Sequence, residues 1–168
     1  MPVLLPSGFY NAFYLRWKSF SLWRDFMHEV FFMESADDDT LKFAAVASHY
    51  HGKWVFCKGK GRDTYEIPCG SRKSDENIEE TARRWLYEKT GAARFRMVPV
   101  CVYKVKEESG GQIFGMLYFA EIQEFFAFPD SETWHVEFFD GVPGELTYPD
   151  IEPALLHHAE EAVKKLMP

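Results

Sequence analysis

Cysteine is scarce in this chain of 168 residues: Cys57, Cys69 and Cys101 are odd in number, far apart and without a CxxC spacing. That argues against a disulfide framework and fits reduced thiols in a cytoplasmic protein. Long apolar runs are missing too, and none approaches the roughly 18 residues needed to span a bilayer. The N-terminus shows neither the charged start nor the small-residue cleavage site of a signal peptide. A cytoplasmic chain with no membrane contact is the expectation. Positive charge is in deficit, with 19 Lys and Arg against 26 Asp and Glu, a net charge of −7. Binding of polymeric nucleic acid needs a basic footprint, which this balance denies. One small nucleotide stays open, because a divalent cation can bridge acid to phosphate. Internal repeats, low-complexity tracts and linkers are also absent.

What is abundant is aromatic: 17% of residues, 16 of them Phe. Such a content serves a large core, an aromatic ligand pocket or a self-association surface. The 46% hydrophobic and 27% charged fractions are ordinary for a globular protein, and the length fits one domain spanning 1–168. Within it, residues 1–40 form an aromatic arm and 41–168 the core. The arm, "FYNAFYLRWKSFSLWRDFMHEVFFME", ends at the polar turn "SADDDT". Aromatics at 13, 17 and 20 fit a helix face, while "YLRWKSF" also alternates, so periodicity does not decide. The arm either packs on its own domain or makes a homodimer contact.

From Leu41 the pattern clears. "LKFAAVASHY" and "KWVFCK" read as a β-hairpin turning at His51-Gly52. "TYEIP" reads as a short strand stopped by Pro68. A helix is expected over 77–90, capped by Ser74 or Asp75, with acids complementing its positive N-terminus and Gly91 ending it. "RMVPVCVYKV", "IFGMLYFAEI" and "WHVEFF" follow as strands, and "EPALLHHAEEAVKKL" as a closing helix with Pro153 near its start. The order implies an α/β layered domain with a mixed sheet.

The chemistry concentrates in "GSRKSDENIEETARRWLYEKTG", residues 70–91. A glycine lets the backbone turn sharply into a helix. Acids three and four apart share a helical face, and clustered oxygens are what Mg²⁺ needs beside a phosphate. This stretch resembles the Nudix box, G-x5-E-x7-R-E-U-x-E-E-x-G-U, where U is bulky and aliphatic. Gly70, Glu76, Arg84, Glu88 and Gly91 match five of its seven Gly, Glu and Arg positions, and Leu86 matches a U. "TYEIPCG" before the box is similar to the family's W-x-x-P-G-G, and the hairpin looks most like the branch acting on ordinary or oxidised purine nucleoside triphosphates. The resemblance covers about residues 41–125 and implies the family's α/β/α sandwich. It also implies a pyrophosphohydrolase that uses Mg²⁺ or Mn²⁺ to cleave a nucleoside diphosphate-linked substrate, the expected one being a nucleoside triphosphate.

Two departures stand against the matches. In the family, the glutamate after the box arginine and both members of the later pair bind the cations; here those positions hold Trp85, Glu88 and Lys89. Trp85 falls beside the apolar stripe of Ile78, Ala82 and Leu86 and suits helix packing. The Lys89 ammonium would repel Mg²⁺ and pair with Glu88 or with a phosphate oxygen. Glu88 and Glu80 are therefore the candidate metal ligands, and Glu88, Arg84 and Glu121 the candidate catalytic residues. Glu80, Arg84 and Glu88 could equally form a surface ladder at i, i+4 spacing. The basic run "KGKGR" makes Lys58 and Arg62, with Gly70, candidates for substrate binding. Restoring Glu at 85 and 89 is expected to strengthen metal binding. Three functions remain open: hydrolase, nucleotide-binding module and dimeric interaction protein.

Overall fold

The computed structural model describes residues 29–107, 110–126 and 134–166. The strands are β1 (Glu29–Met33), β2 (Phe43–Tyr50), β3 (Lys53–Gly59), β4 (Cys69–Ser71), β5 (Ala92–Lys106), β6 (Gln112–Phe125) and β7 (Trp134–Phe139). Among the described residues the helices are α1 (Ile78–Thr90) and α2 (Glu152–Leu166), with a 3-10 turn at Asp38–Thr40. One mixed sheet runs β1-β5-β6-β2-β3-β7, with β4 beside β2. β2 and β6 are parallel, whereas the other pairs are antiparallel.

The centre of the sheet is buried on both faces, and its pleat sorts the core. Along β2, Ala44 and Val46 point to one side and Ala45 and Ala47 to the other. On the first face Ile78, Ala82 and Leu86 of α1 cover Val46, Val55, Tyr118 and Ile122. On the second, Leu155, Leu156 and Ala159 of α2 cover Phe56, Leu117 and Phe119. The result is the expected α/β/α sandwich. Spacings of four residues put the α1 apolar positions on one stripe, and burying each large side chain contributes about 1.5–3 kcal/mol.

Local signals account for most boundaries. His51 and Gly52 both take positive φ, 50° and 76°, the geometry of a tight two-residue hairpin turn. Gly91 ends α1 at φ 74°, donating its N–H to the Tyr87 carbonyl. Two expectations need correction. Asn77, not Ser74 or Asp75, caps α1, because Glu80 three residues on completes a reciprocal box: Glu80 N–H donates to Asn77 Oδ1 at 2.9 Å and Asn77 N–H to Glu80 Oε2 at 2.8 Å. The strand expected at "TYEIP" is reduced to isolated bridges at Tyr65 and Glu66, and the paired strand is β4, beyond Pro68. Of the aromatic arm, residues 29–33 form edge strand β1 against β5; residues 1–28 lie outside the described residues. Among the described residues no helix is long and apolar enough to cross a membrane.

Candidate functional site

The loop entering α1 is tied down by arginines. Arg72 donates to the carbonyls of Asp38 and Glu76, each at 2.6 Å, and pairs with the Asp38 carboxylate at 2.7 Å. Arg84 grips Glu76 with two donors, Nε at 2.5 Å and Nη2 at 2.9 Å, and also reaches the Ser71 carbonyl at 3.0 Å. Glu76 accepts further from Lys73 N–H and the Thr81 hydroxyl. The Arg84 contact chiefly holds the Glu76 carboxyl down to about 2, well below the usual carboxylate range. The two matched box residues at 76 and 84 thus form a charged clasp that closes the loop on the helix.

Trp85 belongs to the same closure. Its ring lies over Gly70 so closely that a Cβ there would stand 2.1 Å from Trp85 Cε2. The indole N–H donates to the Ser71 carbonyl at 3.0 Å. Arg84 and Lys89 flank the ring at 4.8 and 5.1 Å. Gly70 therefore gives up the side on which its Cβ would lie to the protein's own tryptophan, and that side offers no approach to a phosphate.

Lys89 corrects the sequence reading most sharply. It is turned away from solvent. The last turn of α1 carries its ammonium into the interior, where it donates to Glu66 Oε1. Both side chains are almost wholly buried, at 4% and 1% exposure. Burial works against the Lys89 charge, but the Glu66 carboxylate and its neighbours outweigh that and raise its pKa. Arg62 approaches the other Glu66 oxygen at 3.7 Å. Glu152, the first residue of α2, completes the cluster: its two oxygens accept the N–H groups of Ile67 at 2.7 Å and Tyr148 at 3.1 Å. Burial foremost, with Glu66 adding, pushes its carboxyl up to about 8. Cys57 and Cys69 border the cluster, and burial raises both thiols, Cys69 to about 12.

The other candidates are dispersed. Glu88 is exposed on the final turn of α1, with Arg84 Nη1 at 3.5 Å. Glu80 is committed to the helix cap at the opposite end of α1. Of the expected ladder, only the Arg84–Glu88 half forms, because Glu76 takes the other side of Arg84. Glu121 sits on β6 opposite His49 and Arg96. Strand alternation places it on the face of Leu117 and Phe119, under α2, while α1 covers the other face. Burial raises its carboxyl. Lys58 lies 4.9 Å above the Tyr65 ring and 4.0 Å from Glu137, whose other oxygen accepts the Tyr65 hydroxyl at 2.7 Å.

A divalent cation needs several oxygens converging on one point. Glu80 and Glu88 are at opposite ends of α1, and positions 85 and 89 carry an indole and an ammonium. Among the described residues no three His, Cys, Asp or Glu side chains are grouped to hold a metal ion. The residues present do not fit the cation that the box implies. Glu66 and Glu152 are the site residues that sequence reasoning missed. Glu66 offered one signal, a charge in the apolar "YEIP" run, whereas Glu152 looked like an ordinary helix-start acid.

No family sequence profile and no curated protein sequence matches the chain. Solved structures do. A Bacillus subtilis pyrophosphohydrolase, BsRppH, shares 27% identity over 80% of this chain and 90% of its own, at a TM-score of 0.66. The chain belongs to the Nudix superfamily. A Nudix hydrolase from Nitrosomonas europaea (15% identity, TM-score 0.59, 73% of this chain and 90% of that one) has the same fold. So does a MutT Nudix hydrolase from Burkholderia pseudomallei (19%, 0.56, 69% and 95%). This Nudix chain therefore has a pyrophosphohydrolase fold in which two of the three box carboxylate positions after Arg84 are rebuilt as internal contacts.

Proposed function

We propose that this Nudix protein binds a nucleoside di- or triphosphate, or another diphosphate-linked nucleotide, and has exchanged metal-dependent cleavage for binding. One observation carries the reading: Lys89, at a box glutamate position, is buried on Glu66. Cleavage by metal needs a cation to polarise the phosphates and to lower the pKa of the attacking water, and position 89 cannot contribute an oxygen to it. The exposed Lys60 and the partly exposed Lys58 and Arg62, around the glycines at 59 and 61, supply the positive charge for phosphate.

Hydrolysis by a weak site centred on Glu88, with Mg²⁺ or Mn²⁺ recruited partly by substrate phosphates, is the second reading; the exposure of Glu88 favours it. Thermal stabilisation by a nucleotide panel, run beside phosphate and pyrophosphate release, separates the two. Stabilisation without release supports binding; release that Glu88→Gln abolishes supports hydrolysis. A homodimer through the aromatic arm draws support from β1, an edge strand with Phe31 and Met33 exposed. A monomer in sedimentation at micromolar concentration would refute it.

A further inference from the structure

The Glu66–Lys89–Glu152 cluster has a charge logic of its own. Two carboxyl groups, each about 1% exposed as residues, sit where α1, the 62–69 segment and the start of α2 converge. Buried acids need countercharge or hydrogen bonds, or the folded state bears several kcal/mol of desolvation each. Glu152 has two backbone donors. Glu66 has Lys89 at one oxygen; at the other no hydrogen bond forms, and Arg62 stands 3.7 Å away. The cation comes from the position at which the Nudix box carries a carboxylate. In charge, position 89 has been inverted, and the acids facing it lie on segments remote in sequence.

We propose that the Lys89 ammonium is a resident cation of this fold, supplying from within the chain the positive charge that Glu66 requires, beside a Glu152 held by backbone donors, and so fixing α1 against the 62–69 segment without a divalent ion. The inference deepens the metal-free binding reading above, but its test reads stability alone, so failure of ligand binding and failure of this inference appear in different measurements. It also revises the expectation for Glu at position 89. That carboxylate would enter the interior beside Glu66 and Glu152 and gather three buried acids.

The test is thermal unfolding of the full chain in EDTA and in millimolar Mg²⁺ or Mn²⁺. The native protein should melt at the same temperature in all three. Lys89→Met keeps the side-chain length and removes the charge; its Tm should fall by about 6–20 °C, the shift expected when one partner of a buried pair is lost from a chain of this size. The double variant Glu66→Gln, Lys89→Met should recover at least half of that loss, because the stranded carboxylate is gone. Lys89→Glu should be less stable than Lys89→Met in EDTA and should gain stability with added cation, by linkage to the folded state. A native Tm that rises with Mg²⁺ or Mn²⁺ overturns the proposal. So does a double variant no more stable than Lys89→Met, which would make Lys89 a packing residue. If Lys89→Glu does not fold, the double variant decides alone.

Discussion

Replacing Gly70 by Ala should destabilise the protein through one contact. Gly70 does not have positive φ, so alanine meets no backbone penalty there and the cost is steric. The new methyl would lie 2.1 Å from Trp85 Cε2, 2.4 Å from Cζ2 and 2.5 Å from Nε1. The ring must move, and every one of its contacts is set by its present position. Overpacking of this kind costs about 1–3 kcal/mol. Displacing the indole also gives up its hydrogen bond to Ser71, worth ~0.5–1.5 kcal/mol, and weakens the contacts with Arg84 and Lys89, ~0.5–1 kcal/mol each when partly exposed. Because the half-buried ring can swing outward, these losses cap the total at ~1.5–3.5 kcal/mol. In a chain of this size that lowers Tm by roughly 3–14 °C. Urea unfolding of Gly70→Ala, Trp85→Ala and the double variant measures it as a cycle. With the ring removed, alanine at 70 should cost under ~1 kcal/mol, leaving a coupling of about 1–3 kcal/mol. Additive effects, or a Gly70→Ala protein as stable as the native one, would refute the claim that this glycine is required by the tryptophan.

Two pH-dependent outcomes follow from the carboxyls. Glu76 is held near 2 in the folded chain, below its unfolded value of ~4.3, so its contribution is present above pH ~4 and is lost as the pH falls through about 2. Glu76→Gln should cost ~1.5–3 kcal/mol at neutral pH, and its stability should converge with the native curve in acid; a constant gap down to pH ~2 would refute the clasp. Glu152 is displaced the other way, to about 8. The folded state therefore binds its proton more tightly, and that contribution is complete below pH ~4 and lost as the pH rises through about 8. Denaturant midpoints of the native protein should decline across this range and those of Glu152→Gln should decline less; parallel curves would show that Glu152 does not titrate there.

The fold was legible wherever the signal was local. The hairpin at His51-Gly52, the apolar stripe of α1, Gly91 and the α2 helix each depend on residues within a few positions of one another, so pattern and propensity suffice. The N-cap was missed by two residues because Ser74, Asp75 and Asn77 are all competent caps; the reciprocal partner Glu80 selects Asn77. The "TYEIP" stretch has strand composition yet pairs only at isolated bridges, since Cys69–Ser71, not this segment, is what lines up with β2. The site was legible as a motif but not as an environment. Whether Lys89 faces water or the interior depends on Glu66, 23 residues earlier, and on Glu152, 63 residues later. Nothing near Lys89 in sequence reveals either. Trp85 was expected to extend the apolar stripe of Ile78, Ala82 and Leu86; it sits on Gly70 instead, a seat that requires the loop closure that Glu76 and Arg84 make.

The most direct test of the account is calorimetric titration of the native protein with a panel of nucleoside di- and triphosphates in EDTA, with phosphate and pyrophosphate release followed in parallel samples containing Mg²⁺ or Mn²⁺. Metal-free binding predicts saturable heat in EDTA for at least one nucleotide and no release above buffer with either cation. Release that requires the cation and disappears in Glu88→Gln would contradict it and return this chain to the hydrolases.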